Sequence, residues 1–184
     1  MADTGARPEG LEYVEEFLTA DEEGALLGEL EGLEFRTVEM RGQTARRTVR
    51  HFGLDYDYES GELVPAAPLP ASMEWLRDRC AGLMERDPAD LVQILVSRYP
   101  PGAGIGWHRD APMFGSRIAG VSLRAPCRMR FQHTVRGVRS TAALELAPRS
   151  AYLLSGTARW SWQHSIPAAR ALRYSITFRT LKRG

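Results

Sequence analysis

The part of the chain after Leu91 is broken into short apolar or alternating runs that are separated by glycine and proline. Runs of this length are typical of β-strands, whereas a helix needs a longer apolar period. Short strands at regular spacing predict an antiparallel sandwich or barrel, and any chemistry is expected inside this β half. The seven runs are 91–99, 104–108, 117–124, 127–132, 142–146, 151–155 and 171–180.

Two amphipathic helices are predicted in the first half of the chain. Thr19 and Glu22 are placed as in a capping box, ahead of leucines at helical spacing, and predict a helix over residues 19–33. A second apolar stripe, which follows a proline, predicts a helix over residues 71–85. Between them, residues 46–58 lack a helical period and combine arginines with aromatic side chains.

The length of 184 residues and the hydrophobic content of 43% fit one compact domain. Every apolar run is far shorter than the roughly 20 residues that span a bilayer, and the first ten residues do not resemble a signal peptide. Cys80 and Cys127 are too few for a disulfide scaffold, which favours a reducing compartment. We therefore expect a cytoplasmic protein without membrane contact, and a monomer because nothing in the sequence demands a partner chain.

The net charge of +1 conceals an asymmetry along the chain. Residues 1–34 hold eleven acidic residues and one arginine, whereas residues 117–184 hold thirteen basic residues and one acid. Lys182 is the one lysine among the 24 basic residues, and arginine suits bidentate contact with phosphate or carboxylate. Two interpretations stay open, namely contact with nucleic acid and a codon bias that favours arginine throughout a genome.

A histidine and a carboxylate two residues apart form a candidate pair of metal ligands. Side chains two apart on a strand point the same way, so His108 and Asp110 are expected to share a face. One further histidine would complete the facial triad of non-heme iron(II) oxygenases. His164 is the best third candidate because it follows an apolar strand and a glycine turn, and His51 and His133 are the alternatives. A His-x-Asp triplet by itself also occurs by chance.

The last predicted strand presents two arginines on one face. Alternation places Arg173, Ser175, Thr177 and Arg179 on that face and apolar side chains on the other. On an edge strand the arginines would face water. On an inward face they would need anions, and their separation of roughly 20 Å along the strand suits the two ends of a short dicarboxylate. The alternation alone leaves both interpretations open.

Taken together, these features resemble the AlkB family of Fe(II)- and 2-oxoglutarate-dependent dioxygenases. The core signature of that family is similar to SRYPPG at residues 97–102 followed by WHRD at 107–110. The later motifs of the family are matched by His164 and by the strand 173–179. The similarity covers about residues 46–180, and the acidic N-terminal stretch carries no such signal.

The resemblance implies an iron site with 2-oxoglutarate and O2 as cosubstrates. His108, Asp110 and His164 would bind Fe(II) and form the catalytic centre. Arg173 would anchor the distal carboxylate of 2-oxoglutarate, where Tyr99 would also donate a hydrogen bond. Arg179 would lie near the keto-acid end of the cosubstrate.

Two departures from the family pattern affect the expected site. Ser97 and Ser175 stand where the best-studied members carry asparagine residues that bind the cosubstrate, so a water molecule or a shifted ligand would be needed. Ala111 and Pro112 follow the metal motif where some members carry an acidic residue that contacts the target base. The second departure affects the identity of the base more than the chemistry.

Residues 41–64 are assigned by the resemblance to a nucleotide-recognition lid. A base that leaves its stack needs aromatic faces, and the nucleic-acid backbone needs arginines. The alternative is that the aromatic residues belong to the core and that the arginines form a solvated face. The candidates for substrate binding are Arg46, Arg47, Arg50, Phe52, Tyr56 and Tyr58.

The fold class that the resemblance implies is α+β and mainly β. Its core is a double-stranded β-helix, or jelly roll, with supporting N-terminal helices and a β-hairpin lid. We expect a single domain over residues 1–184. Within it, an N-terminal helical extension would cover residues 1–40, the lid residues 41–64 and the jelly-roll core residues 91–181.

The function implied by the resemblance is oxidative dealkylation of alkylated bases in DNA or RNA, as in DNA alkylation repair. One alternative keeps this chemistry but acts on a protein or a small molecule. Another is a non-catalytic module that binds nucleic acid and has kept the fold without turnover. The complete ligand triad and both arginines of the last strand argue against this module.

Overall fold

Strands dominate the structure, as predicted for an α+β fold that is mainly β. The computed structural model describes residues 7–40, 43–57 and 60–183, without the side chains of Met40 and Gln43. Single 3-10 turns lie at Ala71–Met73 and Pro88–Asp90. In chain order the elements are β1 (Leu11–Val14), α1 (Ala20–Glu31), β2 (Arg36–Met40), β3 (Gln43–Tyr56), β4 (Leu63–Pro65), α2 (Glu74–Met84), β5 (Gln93–Tyr99), β6 (Ile105–His108), β7 (Phe114–Leu123), β8 (Cys127–Val135), β9 (Val138–Leu146), β10 (Ser150–Leu154), α3 (Gly156–Trp160), β11 (Gln163–Ile166) and β12 (Arg173–Leu181).

The strands form two sheets with an apolar core between them. The larger sheet has the order β1-β10-β7-β12-β5-β3-β2, with β4 paired to β3, and the smaller sheet has the order β6-β11-β8-β9. Ile118 and Leu154 of the larger sheet pack with Met129 and Phe131 of the smaller sheet. Within the described residues the two sheets do not close into a barrel. The predicted jelly-roll core is therefore confirmed as two facing sheets.

Helices α1 and α2 cover the other face of the larger sheet. The predicted capping box is present, because the Glu22 amide donates to Thr19 Oγ1 at 3.1 Å and the Thr19 amide donates to Glu22 Oε2 at 2.9 Å. Leu26 of α1 and Leu76 of α2 belong to the same buried cluster as Phe178 of β12. In the described part of the chain, each helix is too short or too polar to span a membrane. The helices leave the opposite face of the sheet for the site.

Strand β12 lies in the middle of the larger sheet, between β5 and β7. All residues from Arg173 to Thr180 are buried, so an edge strand with arginines in water is excluded. Ile176 and Phe178 face the helices, and by alternation Arg173 and Arg179 face the smaller sheet. The strand therefore carries charged groups into the space between the sheets.

Two segments contain strands that the sequence did not predict. The segment 1–40 is not only helical, because β1 pairs with β10 at one edge of the larger sheet and β2 pairs with β3 at the other. The segment 41–64 is not only a lid, because residues 48–53 of β3 pair with β5 inside the same sheet. Four or five residues are too few for a period to be recognised, and strand pairing depends on partners far along the chain.

We expect opposite effects on stability from the same change at two glycines. Gly53 has φ of 75°, and a Cβ there would overlap the Val92 carbonyl oxygen, so Gly53→Ala should lower the free energy of unfolding by more than about 1 kcal/mol. Gly24 lies within α1, and a Cβ added there would have no heavy atom within 4 Å, so Gly24→Ala should raise the free energy of unfolding by about 0.5–1 kcal/mol. Urea unfolding of the three proteins checks both signs. Equal effects would contradict the geometry of β3.

Candidate functional site

The predicted metal-binding group consists of two histidines on the smaller sheet and an aspartate in the loop that follows β6. His108 ends β6, Asp110 follows two residues later, and His164 lies on β11, directly opposite His108 in the strand register. Asp110 Oδ1 lies 3.7 Å from His108 Nε2 and 3.4 Å from His164 Nε2. The three ligand atoms all lie within 4.8 Å of one another. His51 and His133, the alternative third ligands, are not members of this group.

The protonation states of this group suit a metal ion. His108 Nδ1 lies 2.9 Å from the Gly106 carbonyl oxygen, and donation to that oxygen leaves the Nε2 lone pair for a metal. Burial, assisted by the neighbouring His164, lowers the pKa of His108 to about 4. Although burial opposes ionisation of Asp110, the Arg179 guanidinium and the two imidazoles hold its pKa well below the usual range. At neutral pH the group therefore offers a neutral imidazole and a carboxylate.

Arg179 connects the metal-binding group to the larger sheet. Its Nε donates to Asp110 Oδ2 at 2.7 Å, and its Nη1 donates to Gln93 Oε1 at 2.8 Å. Asp110 therefore turns one oxygen toward the imidazoles and the other toward the guanidinium. The ring of Phe114 lies 5.1 Å from the guanidinium carbon. Arg179 thus orients a metal ligand directly, beyond its predicted place near the keto-acid end.

Arg173 occupies the other end of β12 and is 2% exposed. Its Nη2 donates to Ser122 Oγ at 3.1 Å, and its guanidinium lies 4.7 Å from the ring centre of Tyr99, the residue opposite it in the register. Its buried Nε has no hydrogen-bond partner among the described residues. Ser97 and Ser175 are opposite each other in the register, two residues along from Tyr99 and Arg173, and both line the same cavity. A buried guanidinium with an unsatisfied donor fits a carboxylate, as the predicted role requires.

The predicted substrate-binding residues divide between the two faces of β3. Phe52 is 2% exposed and belongs to the core under the helices, so its assignment to substrate binding is wrong. The Arg50 guanidinium lies 5.3 Å from the Phe52 ring, and Arg46 lies against Gly102. Neither arginine lines the cavity or the cleft next to it, because alternate residues of a paired strand point to opposite faces.

Of the remaining predicted substrate-binding residues, two lie at the site and one lies outside the described residues. Arg47 is 4% exposed, and its Nη1 donates to Ser97 Oγ at 3.0 Å. Tyr56 lies in a cleft beside the cavity, with its ring centre 6.1 Å from that of Phe114. Tyr58 lies outside the described residues. Of the five candidates that the structure describes, Arg47 and Tyr56 are therefore positioned near the metal-binding group.

A polar cluster in this cleft was not predicted from the sequence. Arg36 Nη2 donates to Asp55 Oδ1 at 2.7 Å, and His51 Nδ1 lies 3.2 Å from Arg36 Nη2 and 3.3 Å from Asp55 Oδ1. The cleft has a volume of about 350 Å³ and shares Arg47 and Leu95 with the cavity of the metal-binding group. Only the pairing of β2 with β3 brings Arg36 to His51, so the sequence holds no local signal for the cluster.

A second residue missed by sequence analysis holds the loop that follows the metal motif. Arg159 of α3 is 3% exposed, and its guanidinium donates to the carbonyl oxygens of Asp110, Ala111, Phe114 and Gly115 at 2.9–3.1 Å. Backbone carbonyls compensate the burial of this charge. The residue therefore fixes the backbone that carries the carboxylate ligand. An arginine in a helix of five residues gives no such indication in the sequence.

Comparisons with known proteins agree with this geometry. The profile of the 2OG-Fe(II) oxygenase superfamily matches residues 10–179. The tRNA (carboxymethyluridine(34)-5-O)-methyltransferase ALKBH8 of Macaca fascicularis is 30% identical over 173 residues, covering 88% of this chain and 24% of that protein. The alkylated DNA repair protein ALKBH8 homolog of Arabidopsis thaliana is 29% identical, covering 86% of this chain and 51% of that protein. The chain thus spans a quarter to a half of the length of these relatives.

Solved structures show the same fold. The structure of OsALKBH1 superposes with a TM-score of 0.68 at 16% identity, covering 95% of this chain and 98% of that one. A prolyl-4-hydroxylase of Pseudomonas putida superposes with a TM-score of 0.64 at 17% identity, covering 94% and 92%. The chain belongs to the 2OG-Fe(II) oxygenase superfamily, and its sequence relatives support an AlkB-like dioxygenase. Fe(II), 2-oxoglutarate and O2 are its cofactor and cosubstrates, and the residues described above fit them.

Removal of one of the two imidazole ligands should strongly weaken metal binding without loss of the fold. His108→Ala or His164→Ala should weaken Mn(II) binding by more than about 100-fold, because loss of an outer-shell partner alone typically costs 10–100-fold. Isothermal titration calorimetry measures the affinity, and circular dichroism checks the fold. His133→Ala, a change on β8 outside the group, should bind Mn(II) as the wild type does. Wild-type affinity in the His108 variant would refute the ligand assignment.

The buried His51 should make the metal-free protein sensitive to acid. Burial lowers the pKa of His51 from the ordinary 6.5 to about 4, against the opposing charge of Asp55. Between these pH values the unfolded chain binds a proton that the folded protein does not, so stability should fall as the pH drops from 6.5 to 4. In His51→Gln, the decrease in the free energy of unfolding between pH 6.5 and pH 4 should be smaller by about 2 kcal/mol. Urea unfolding at several pH values measures it, and an unchanged slope would contradict the assignment.

Proposed function

We propose that this dioxygenase oxidises an alkyl group on a base of DNA or RNA and thereby removes it. The observation that carries the proposal is the cleft of about 350 Å³ beside the metal cavity, which shares Arg47 and Leu95 with that cavity. Its volume is in the range of sites for small organic groups. A base that has left its stack could enter the cleft and approach the cavity with its alkyl group.

The side chains of the cleft match the needs of base recognition. Tyr56 supplies an aromatic ring, and the cluster of Arg36, His51 and Asp55 supplies donors and acceptors. Enzymes that act on a flipped base hold it by stacking and by hydrogen bonds to its polar edge. Asp55 has a half-buried, hydrogen-bonded carboxylate that could accept from an exocyclic amine. The cleft therefore supports a base better than an apolar ligand.

The chain positions the reactants and excludes water. Iron and 2-oxoglutarate, when bound, supply oxidation by O2 that is coupled to decarboxylation to succinate. His108, Asp110 and His164 hold the metal, Arg173 binds a carboxylate of the cosubstrate, and Arg179 orients Asp110. Hydroxylation of an N-methyl group leads to its loss as formaldehyde. No side chain needs to act as a general base in this reaction.

Positive charge on the outer face of the smaller sheet supports a polyanionic substrate. Trp107 is 37% exposed, and the Arg130 guanidinium lies 5.1 Å from its ring centre. Arg139 lies on the adjacent strand β9, and in the described part of the chain no carboxylate pairs with Arg130 or Arg139. Glu145, the one acid of β8 and β9, pairs instead with Arg128 at 3.2 Å. Arginine and an exposed indole suit phosphate and base contacts.

The names of the relatives favour the same substrate class. The mammalian relative is named for a tRNA nucleoside, and the plant relative is named for alkylated DNA repair. The chain covers only part of each of them, so their substrates enter here as support for a proposal. The prolyl-4-hydroxylase shares the fold alone.

The decisive experiment measures succinate and formaldehyde from the iron-loaded protein under air with 2-oxoglutarate. Single-stranded oligonucleotides with methyladenine or methylcytosine should raise succinate formation several-fold and release formaldehyde, because a fitted substrate couples the oxidation. Unmodified oligonucleotides and a proline-rich peptide are the comparison substrates. Stimulation by the peptide alone would replace the proposal by a protein substrate.

Charge reversal separates nucleic-acid binding from the chemistry. The double variant Arg130→Glu/Arg139→Glu should keep succinate formation without substrate, lose oligonucleotide stimulation and show a weaker salt dependence of binding. Arg77→Glu, on α2 across the larger sheet, is the matched control and should behave as the wild type. Equal stimulation in all three proteins would exclude this face from substrate binding.

A further inference from the structure

Arg47 reaches the cosubstrate cavity from β3. The register pairs Val49 with Ser97 and Arg173 with Tyr99, so Arg47, two residues before Val49, lies in the same row as Tyr99 and Arg173. Arg47 and Arg173 thus stand on the two sides of Tyr99, on one face of the larger sheet. Both line the cavity that holds the metal-binding group. Two buried guanidiniums from β3 and β12 therefore line one cavity.

The burial of Arg47 favours an anion that the described residues do not supply. The residue is 4% exposed, and its Nη1 donates to the neutral hydroxyl of Ser97. Among the described residues, carboxylates pair with neither Arg47 nor Arg173, while Asp110 pairs with Arg179. A buried guanidinium without a counter-ion is costly unless a ligand compensates it. The cavity thus retains two buried positive charges.

The two positive charges suit an anionic ligand. A dicarboxylate brings negative charge to this cavity, and carboxylate oxygens accept from guanidinium donors in a bidentate arrangement. Ser97 and Ser175, two residues along from Tyr99 and Arg173, have short side chains that line the same cavity. We propose that Arg47 is a cosubstrate-binding residue that holds the distal carboxylate of 2-oxoglutarate together with Arg173.

This role differs from substrate binding, to which the sequence assigned Arg47. Arg47 also lines the cleft that contains His51 and Asp55, so one strand borders both the cosubstrate and the proposed base. The inference concerns the cosubstrate alone and does not depend on the identity of the substrate. Its test therefore needs no nucleic acid for the primary measurement.

The test compares neighbouring arginines on opposite faces of β3. The affinity of the Mn(II)-loaded protein for 2-oxoglutarate is measured by calorimetry, without turnover. Arg47→Met should weaken binding by about 10-fold or more, because hydrogen bonds to charged groups are among the stronger ones. Arg47→Lys keeps the charge but not the fork and should lie between the wild type and Arg47→Met. Arg46→Met, whose side chain lies against Gly102 outside the cavity, should bind as the wild type does.

Thermal unfolding distinguishes ligand binding from a structural role. Without 2-oxoglutarate, Arg47→Met should unfold at or above the wild-type temperature, since removal of a buried unpaired charge is often neutral or stabilising. The increase in melting temperature that 2-oxoglutarate causes should shrink in the same variant. A structural role predicts instead a lower melting temperature and an unchanged increase, and that result would overturn the proposal.

Two further results decide the remaining cases. Wild-type affinity of Arg47→Met for 2-oxoglutarate would overturn the proposal, and a simultaneous loss of oligonucleotide binding would return Arg47 to the substrate site. If Arg47→Met does not fold, Arg47→Gln and Arg47→Lys are compared. Stronger binding of 2-oxoglutarate by Arg47→Lys than by Arg47→Gln would support the proposal. Wild-type affinity in both variants would contradict it.

Discussion

The ion pair between Asp110 and Arg179 joins the two halves of the site. Asp110 leaves the smaller sheet in the loop after β6, and Arg179 belongs to the central strand of the larger sheet. Their separation of 2.7 Å fixes the distance at which the two sheets face each other around the metal-binding group. Both side chains are buried, so the loss of either partner would leave an uncompensated charge between the sheets. The position of the carboxylate ligand follows from this pair and from the carbonyl contacts of Arg159.

The larger sheet divides stability and chemistry between its two faces. The face toward α1 and α2 is apolar and carries most of the buried core. The opposite face carries Arg47, Arg173 and Arg179 into the space between the sheets. Burial of these guanidiniums opposes folding in the absence of ligands, and the apolar face compensates it. The protein can therefore keep a charged cavity because one side of the same strands is packed by helices.

The comparisons define the superfamily and the fold of this chain but leave its substrate open. A prolyl-4-hydroxylase and OsALKBH1 superpose on this chain to a similar extent, so the fold alone does not select a substrate. In this chain the parts that border the proposed substrate are β2 and β3, whose cleft contains Arg36, His51 and Asp55. This hairpin can select a substrate without changing the metal site, because the metal-binding residues lie on β6, on β11 and in the loop after β6.

The sequence by itself determined what depends on short spacing. His108 and Asp110 share a site because they are two residues apart. Arg173 and Arg179 share a face because they are six residues apart, an even number along a strand. The capping box predicted the start of α1. Tertiary structure alone decided the contents of the hairpin. Arg46, Arg47 and Phe52 formed one group in the sequence, but pairing of β3 with β5 sent Arg47 into the cavity and Phe52 into the core. A strand has two faces, and only its partners determine which of them lines the site.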